Sequence, residues 1–184
     1  MKKLTVLAVL VLAASMLAGG CTGTIIREGA GVALGAKGTF MPIKPVAASE
    51  EDRPLGAYKR FELAVLTDDI GGKTPADLLD HLSVAFKEEL AKKKLPDAPG
   101  GKTLVLRGRI IHYESASTLG FAMGPLEEVI VRTEMVDKDS GKVLGVANCI
   151  GRTKERVNAG VKKKAEGLAK GLVAWIDSRY PKER

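Results

Sequence analysis

The sequence predicts an α+β protein, a two-layer sandwich in which a four-stranded mixed sheet carries two helices on one face in the order β-α-β-β-β-α. Three observations predict it. Period-two apolar alternation recurs in four separate stretches, the pattern of half-buried strands. Two longer stretches carry apolar residues at spacings of three and four, as helices with one buried stripe do. One of those helices falls between the first and second strands, so a right-handed crossover joins a parallel pair, and the remaining strands follow without interruption.

The first strand is "YKRFELAVLT", from Tyr58, with Phe61, Leu63 and Val65 on one side. "DDIGGKTPADLL" then starts a helix. Thr74 is read as its N-cap, Pro75 suits the first helical position, and the charge of Asp77 suits the helix dipole. Leu78, Leu82, Ala85, Phe86 and Leu90 form the inward stripe, and Lys92, Lys93 and Lys94 close the helix before "LPDAPGG". The second strand turns Leu104, Leu106 and Ile110 inward and Arg107 and Arg109 outward. The third turns Val129, Val131 and Met135 inward, with Arg132 and Glu134 on the wet face. The turn "DKDSGK" leads into a fourth strand read with Leu144, Val146 and Ile150 inward. The last helix spans about 157–180, and Val161, Ala165, Leu168, Ala169, Leu172, Val173 and Ile176 line its stripe. The run Lys162, Lys163, Lys164 is read as a solvated face. Gly160, Gly167 and Gly171 weaken this helix by up to ~1 kcal/mol each relative to alanine, a cost offset if they let it lie close on the sheet.

The chain begins with Lys2 and Lys3, an uninterrupted apolar run from Leu4 to Ala18, and then Gly19, Gly20 and Cys21. The run is shorter than the about 20 apolar residues a membrane span requires. Basic start, short apolar run and small-residue exit describe a cleaved secretory signal peptide, residues 1–20. Residues 21–57 read as a flexible tether with a reach of roughly 30 Å, and 58–184 as a single α+β domain.

Of 184 residues, 29 are Lys or Arg and 22 Asp or Glu, a net charge of +7. Loss of residues 1–20 removes Lys2 and Lys3 and no acid, leaving +5. A mildly basic, mixed surface favours contact with anionic lipid over nucleic acid, because the aromatic interleaving of single-strand binders is absent. Gly29, Gly31 and Gly35 do not have the spacing of a dinucleotide fingerprint. Two histidines, His81 and His112, and the cysteine Cys149 supply no metal-ligand spacing, so neither metal nor cofactor is expected. Ser115, Ser117, Ser140 and Ser178 lack the strand-to-helix elbow of an activated hydrolase serine, and no enzyme activity is expected. Cys149 is read as a small buried strand residue. "SASTLGFAMGPLEE" is longer than a simple hairpin connection and sets Leu119, Phe121 and Met123 among glycines. It either extends the hairpin over the core or offers an apolar lip to a partner, another copy or lipid.

The exit Ala18-Gly19-Gly20-Cys21 resembles the lipobox of bacterial lipoproteins, although Ala18 stands where that family prefers leucine. The resemblance implies diacylation of Cys21, which leaves Cys149 without an intrachain disulfide partner. Thr22, rather than aspartate, after the cysteine implies an outer-membrane address. With the tether, the element order and the turn "VDKDSGKVLG", the chain is similar to small bacterial envelope lipoproteins of unknown function. It is distantly similar to the curli-secretion lipoprotein, ABC-transport auxiliary lipoproteins and the N-terminal domain of the Tol periplasmic protein. That resemblance implies no catalytic residues. The expectation is a membrane-anchored, non-enzymatic accessory or assembly component of the envelope that meets an envelope protein or forms a homo-oligomer. The alternative is a lipoprotein that binds a lipid or small solute between helix and sheet.

Overall fold

Long runs in which aliphatic residues alternate with polar ones form the centre of the sheet. They are β4 (Lys102–Tyr113), β5 (Glu127–Asp137) and β6 (Val143–Thr153). The computed structural model describes residues 36–47, 49, 52–114, 127–153 and 160–182. Around that centre lie β1 (Lys37–Lys44), β2 (Tyr58–Leu63), the two-residue β3 (Thr67–Asp68) and the helices α1 (Leu78–Lys92) and α2 (Gly160–Arg179). The sheet order is β1-β6-β5-β4-β2, with β3 also paired to β4. The β1–β6, β6–β5 and β5–β4 pairs are antiparallel, and β2 and β3 run parallel to β4. The fold is the expected α+β sandwich with a mixed sheet.

The strand count is six rather than four. The stretch expected as one strand from Tyr58 is broken at 64–66, where Leu66 turns into the core, and resumes as β3. The sixth strand is β1, formed by residues expected to belong to the tether. Its sequence, KGTFMPIK, lacks a clean alternation and holds Pro42, which a strand tolerates at an edge. Pairing with β6 and contact with α2, not local propensity, make it a strand. Leu55, also within the expected tether, is fully buried.

The start of α1 differs from its expected start. Helical residues begin at Leu78, with Asp77 at the cap position and no side-chain cap bond. Asp68 organises the preceding loop instead: its carboxylate accepts hydrogen bonds from the backbone N–H of Ile70 (2.7 Å) and of Thr74 (3.2 Å). The expected stripe is otherwise in place, with Leu78, Leu82, Ala85 and Phe86 buried.

Helix α2 lies against β1 and β6 at backbone distance. A Cβ on Gly38 would collide with the Gly167 carbonyl and the Gly171 amide, and one on Gly151 would collide with the Leu168 amide. Gly167 and Gly171 thus serve the close approach expected of them. The same closeness reverses the expected sidedness of β6. Ala147, Cys149 and Gly151 face the helices, whereas Val146 and Ile150 occupy the other face; bulky inward residues would hold α2 off the sheet. Phe40 of β1 stacks on Trp175 of α2 with ring centroids 6.5 Å apart. Arg53 closes the far end of the helix, its Nη1 donating to the carbonyls of Asp177, Ser178 and Tyr180 at 3.0–3.3 Å. A guanidinium there meets the negative pole of the helix and its unpaired carbonyls together.

Two buried polar clusters pin the sheet ends. Asp137, 4% exposed, accepts from the Tyr58 hydroxyl (2.7 Å) and from the Ser140 amide (2.9 Å) and hydroxyl (2.8 Å), with Lys102 Nζ at 3.4 Å. The bonds from Ser140, together with that from Tyr58, hold the Asp137 carboxyl well below the usual range. Burial, reinforced by the adjacent carboxylate, pushes the Tyr58 phenol above its ordinary value. At the other end Lys164 is buried, correcting its reading as part of a solvated run. Its Nζ meets Glu127 Oε2 at 2.9 Å, donates to the Glu114 carbonyl at 2.5 Å and lies 4.1 Å from the Tyr113 ring centroid. A buried ammonium is tolerable because all these partners surround it.

Candidate interaction surface

With both helices on one side, the outward residues of the strands line the other side. Those of β5 from Glu128 to Glu134 and of β6 from Val146 to Arg152 are half-buried, except Ile150, which is buried. Register arranges these residues in rows. One row reads Thr67, Arg109, Arg132, Asn148, Met41 across β3, β4, β5, β6 and β1. The next reads Arg107, Glu134, Val146, Lys44, and on the other side lie His112, Ile130, Ile150, Thr39. A further pair is Glu128 and Arg152. The skip between Ile110 and His112 keeps His112 on this face after Arg109.

Charges are matched at Arg107–Glu134 and at Arg152–Glu128, and not in the first row. Arg107 Nε bonds Glu134 Oε2 at 2.9 Å, and Arg152 Nε bonds Glu128 Oε2 at 2.9 Å. Arg109 and Arg132 stand directly opposite each other across β4 and β5. Arg109 Nη1 lies 3.2 Å from Asp69 Oδ2. Arg132 makes no ion pair among the described residues; its Nε donates to Asn148 Oδ1 at 3.4 Å. Like charges directly opposite on one face are unfavourable. The two guanidiniums border an open hollow of about 440 Å³ together with Val65, Thr67, Arg107 and Glu134. Val65 at its rim is 84% exposed, and Met41 and Ile43 on the sheet edge are 59% and 53% exposed. Arg107, Arg109, Arg132 and Glu134 are legible in the sequence as outward residues; the juxtaposition of Arg109 with Arg132 is not, because it depends on register.

A second open hollow, of about 520 Å³, lies between Phe40 and Pro42 of β1 and the end of α2, near Arg53 and Lys182. It is a surface depression, not the apolar chamber between helix and sheet that a lipid carrier requires.

Cys21 and the loop residues Leu119, Phe121 and Met123 lie outside the described residues. Cys149 is fully buried, as expected, but on the helix-facing side that the strand pattern assigns to its neighbours, and burial pushes its thiol up to about 12. His81 and His112 stand at the surface, 3.6 Å from Asp77 and 3.8 Å from Glu128. Among the described residues no three His, Cys, Asp or Glu side chains gather as metal ligands, and no helix is long and apolar enough to cross a membrane.

No protein-family model matches the chain, and no curated protein matches it in sequence. Solved structures do resemble it. A dodecamer of a point variant of PelC from Paraburkholderia phytofirmans aligns over 79% of this chain and 99% of its own at 15% identity and TM-score 0.49. A PelC dodecamer from the same organism in another space group aligns over 80% and 99%, at 13% identity and TM-score 0.48. A minor lipoprotein from Acinetobacter baumannii aligns over 66% and 94%, at 17% identity and TM-score 0.41. With every score below 0.5, these are remote likenesses from which no property is transferred to this chain.

Proposed function

We propose that this chain is a bacterial envelope lipoprotein, anchored through acylated Cys21 and acting without catalysis as an accessory or assembly component that engages a protein partner. The observation that carries the contact reading is the strand face opposite the helices. It combines exposed aliphatic side chains with a guanidinium pair that the described fold leaves incompletely matched. Such a mixture of apolar surface and arginine is characteristic of the fully buried part of protein interfaces. The anchor rests on the basic start, the apolar run and the small residues before Cys21. Each buried acyl methylene contributes about 0.8 kcal/mol, so two or more chains hold a protein durably on a bilayer. Thr22 supports an outer-membrane address facing the periplasm, and Leu119, Phe121 and Met123 are a second candidate contact.

The test is metabolic labelling with an alkyne fatty acid in bacteria expressing the full chain and a Cys21→Ala variant. Label on the parent protein, its absence from the variant, and release of the variant from washed membranes are the expected results. An unlabelled parent protein, or equal label on both, overturns the anchor.

A further inference from the structure

The geometry points to Arg109 and Arg132 as the receptor for a single carboxylate, an aspartate or glutamate presented by a protein partner between apolar neighbours. This inference rests on the contact reading proposed above and names the chemistry of the partner.

The two guanidiniums share one row and one face, across a directly opposed strand pair. Folding places them together against their mutual repulsion, and the described residues relieve that repulsion at one end only. Asp69 stands beside Arg109, whereas Arg132 has a single bond to a neutral amide at 3.4 Å. That bond uses Nε and leaves both terminal nitrogens of Arg132 without a partner among the described residues. A guanidinium in this state has the donors for a charge-assisted contact with a carboxylate. The Asn148 bond already restrains its Nε, which reduces the ordering that binding requires.

The surroundings decide among anionic occupants. A membrane surface attracts clusters of cations through a diffuse field. Here Glu134 lines the same hollow and Asp69 pairs with Arg109, so Arg132 is the one cation lining it that lacks a carboxylate among the described residues. Lys37 and Lys44 of this face stand on the edge strand β1, and a sheet of lipid phosphates would be repelled by the carboxylates beside the hollow. The same carboxylates oppose a polyanion such as nucleic acid. A second copy presenting this face offers no free acid, because Glu134 and Glu128 are engaged by Arg107 and Arg152. One localised carboxylate fits. Val65 at the rim and Met41 at the far end of the row favour apolar side chains on either side of it.

The probe is a short extended peptide with one central glutamate flanked by leucine, compared with its glutamine counterpart, inorganic phosphate and phosphatidylglycerol vesicles. The readout is the side-chain Nε–Hε resonances of Arg109 and Arg132 in the full-length protein in mild detergent. The expected result is a saturable shift of both signals with the glutamate peptide. Affinity should drop by about tenfold or more for the glutamine peptide and for Arg132→Gln, as loss of a charge-assisted contact predicts. Arg132→Gln should melt no lower than the parent protein, because the substitution removes a like-charge contact. Equal response to the two peptides, no shift at either arginine, or a response to phosphate or vesicles that matches the glutamate peptide overturns the inference. A shift that appears on raising protein concentration alone assigns the face to a second copy and also overturns it. Fatty-acid labelling of Cys21 reports the anchor separately, so an acylated protein with silent arginines loses this inference alone.

Discussion

Replacing Gly38 with alanine tests whether α2 is seated on β1 at backbone distance. The added Cβ would collide with the Gly167 carbonyl and Gly171 amide and meet Lys170 Cβ at 2.7 Å, closer than the 3.0 Å that real Cβ contacts respect. No flexible side chain can relieve the two backbone collisions; helix and strand must part. Overpacking of this kind costs about 1–3 kcal/mol. Removing a glycine from a strand returns about 0.5–1 kcal/mol. With two backbone collisions the overpacking cost lies in the upper part of its range, about 2–3 kcal/mol, so the net loss is about 1–2.5 kcal/mol. At about 2–4 °C per kcal/mol for a domain of this size, the melting temperature falls by about 2–10 °C. Gly167→Ala meets the Lys37 carbonyl at 2.5 Å and the Arg152 amide at 3.0 Å, and the helix recovers up to ~1 kcal/mol of propensity, so its loss is smaller. Once one substitution has parted the layers, the second costs less, and the double variant loses less than the sum. Urea and thermal unfolding followed by circular dichroism measure all three. A Gly38→Ala protein as stable as its parent refutes the seating, and strictly additive losses refute the shared contact.

The buried polar clusters and the cysteine give three further tests. Tyr58→Phe should destabilise by about 1–2 kcal/mol in urea at neutral pH, because a hydrogen bond to a buried carboxylate is lost. In the parent protein the depressed Asp137 contributes stability that is present above the ordinary carboxylate value of 3.8 and disappears as pH falls below it. The raised Tyr58 contributes stability that is present below the ordinary phenol value of 10.0 and disappears as pH rises above it. Unfolding free energy measured across pH should therefore decline at both ends, less steeply in Tyr58→Phe; identical profiles would exclude the pair as their source. Lys164→Met strands the Glu127 carboxylate, whose side chain is 10% exposed, at a cost of about 3–5 kcal/mol. Adding Glu127→Leu should recover most of that in urea unfolding, and no recovery would dissociate the two residues. In a Cys21→Ala background, Cys149 should react with Ellman's reagent only after denaturant unfolds the chain, since its thiol is raised to about 12. Rapid reaction of the folded protein would contradict that burial.

What is legible in the sequence follows the size of the inward side chains. β4, β5, α1 and α2 announce themselves because leucine, isoleucine, valine and phenylalanine mark the buried side at the right period. The pattern of β6 reads with its faces exchanged because its inward residues are alanine, cysteine and glycine, while Val146 and Ile150 face away. A hydrophobicity pattern assumes that the larger apolar residue is inside, and that assumption fails where a helix lies at backbone distance. β1 escapes sequence reasoning for a related reason: its contact position is Gly38, its one large inward residue is Phe40, and Pro42 argues against a strand. Lys164 is deceptive because a lysine triplet looks solvated until tertiary structure brings Glu127 and the Glu114 carbonyl to the last of its charges. On the contact face the residues are legible but their neighbours are not. That Arg109 opposes Arg132 is a fact of strand register, and no local signal in either strand encodes it.

The glycine contacts also constrain the kind of function this architecture can perform. A carrier needs its layers held apart around a chamber, and apolar volume there must remain unfilled by protein. Here Gly38, Gly151, Gly167 and Gly171 bring one helix so near two strands that a single methyl group does not fit between them. The free energy of that close packing opposes any opening of the layers to admit a ligand. Chemistry directed at another molecule is then left to the surface, and the face opposite the helices is where exposed aliphatic residues and an unmatched guanidinium coincide. Filling the seam and probing the arginines therefore interrogate the two alternatives directly: solute binding needs the layers to separate, whereas partner binding needs them to stay closed and the charged row to stay in register.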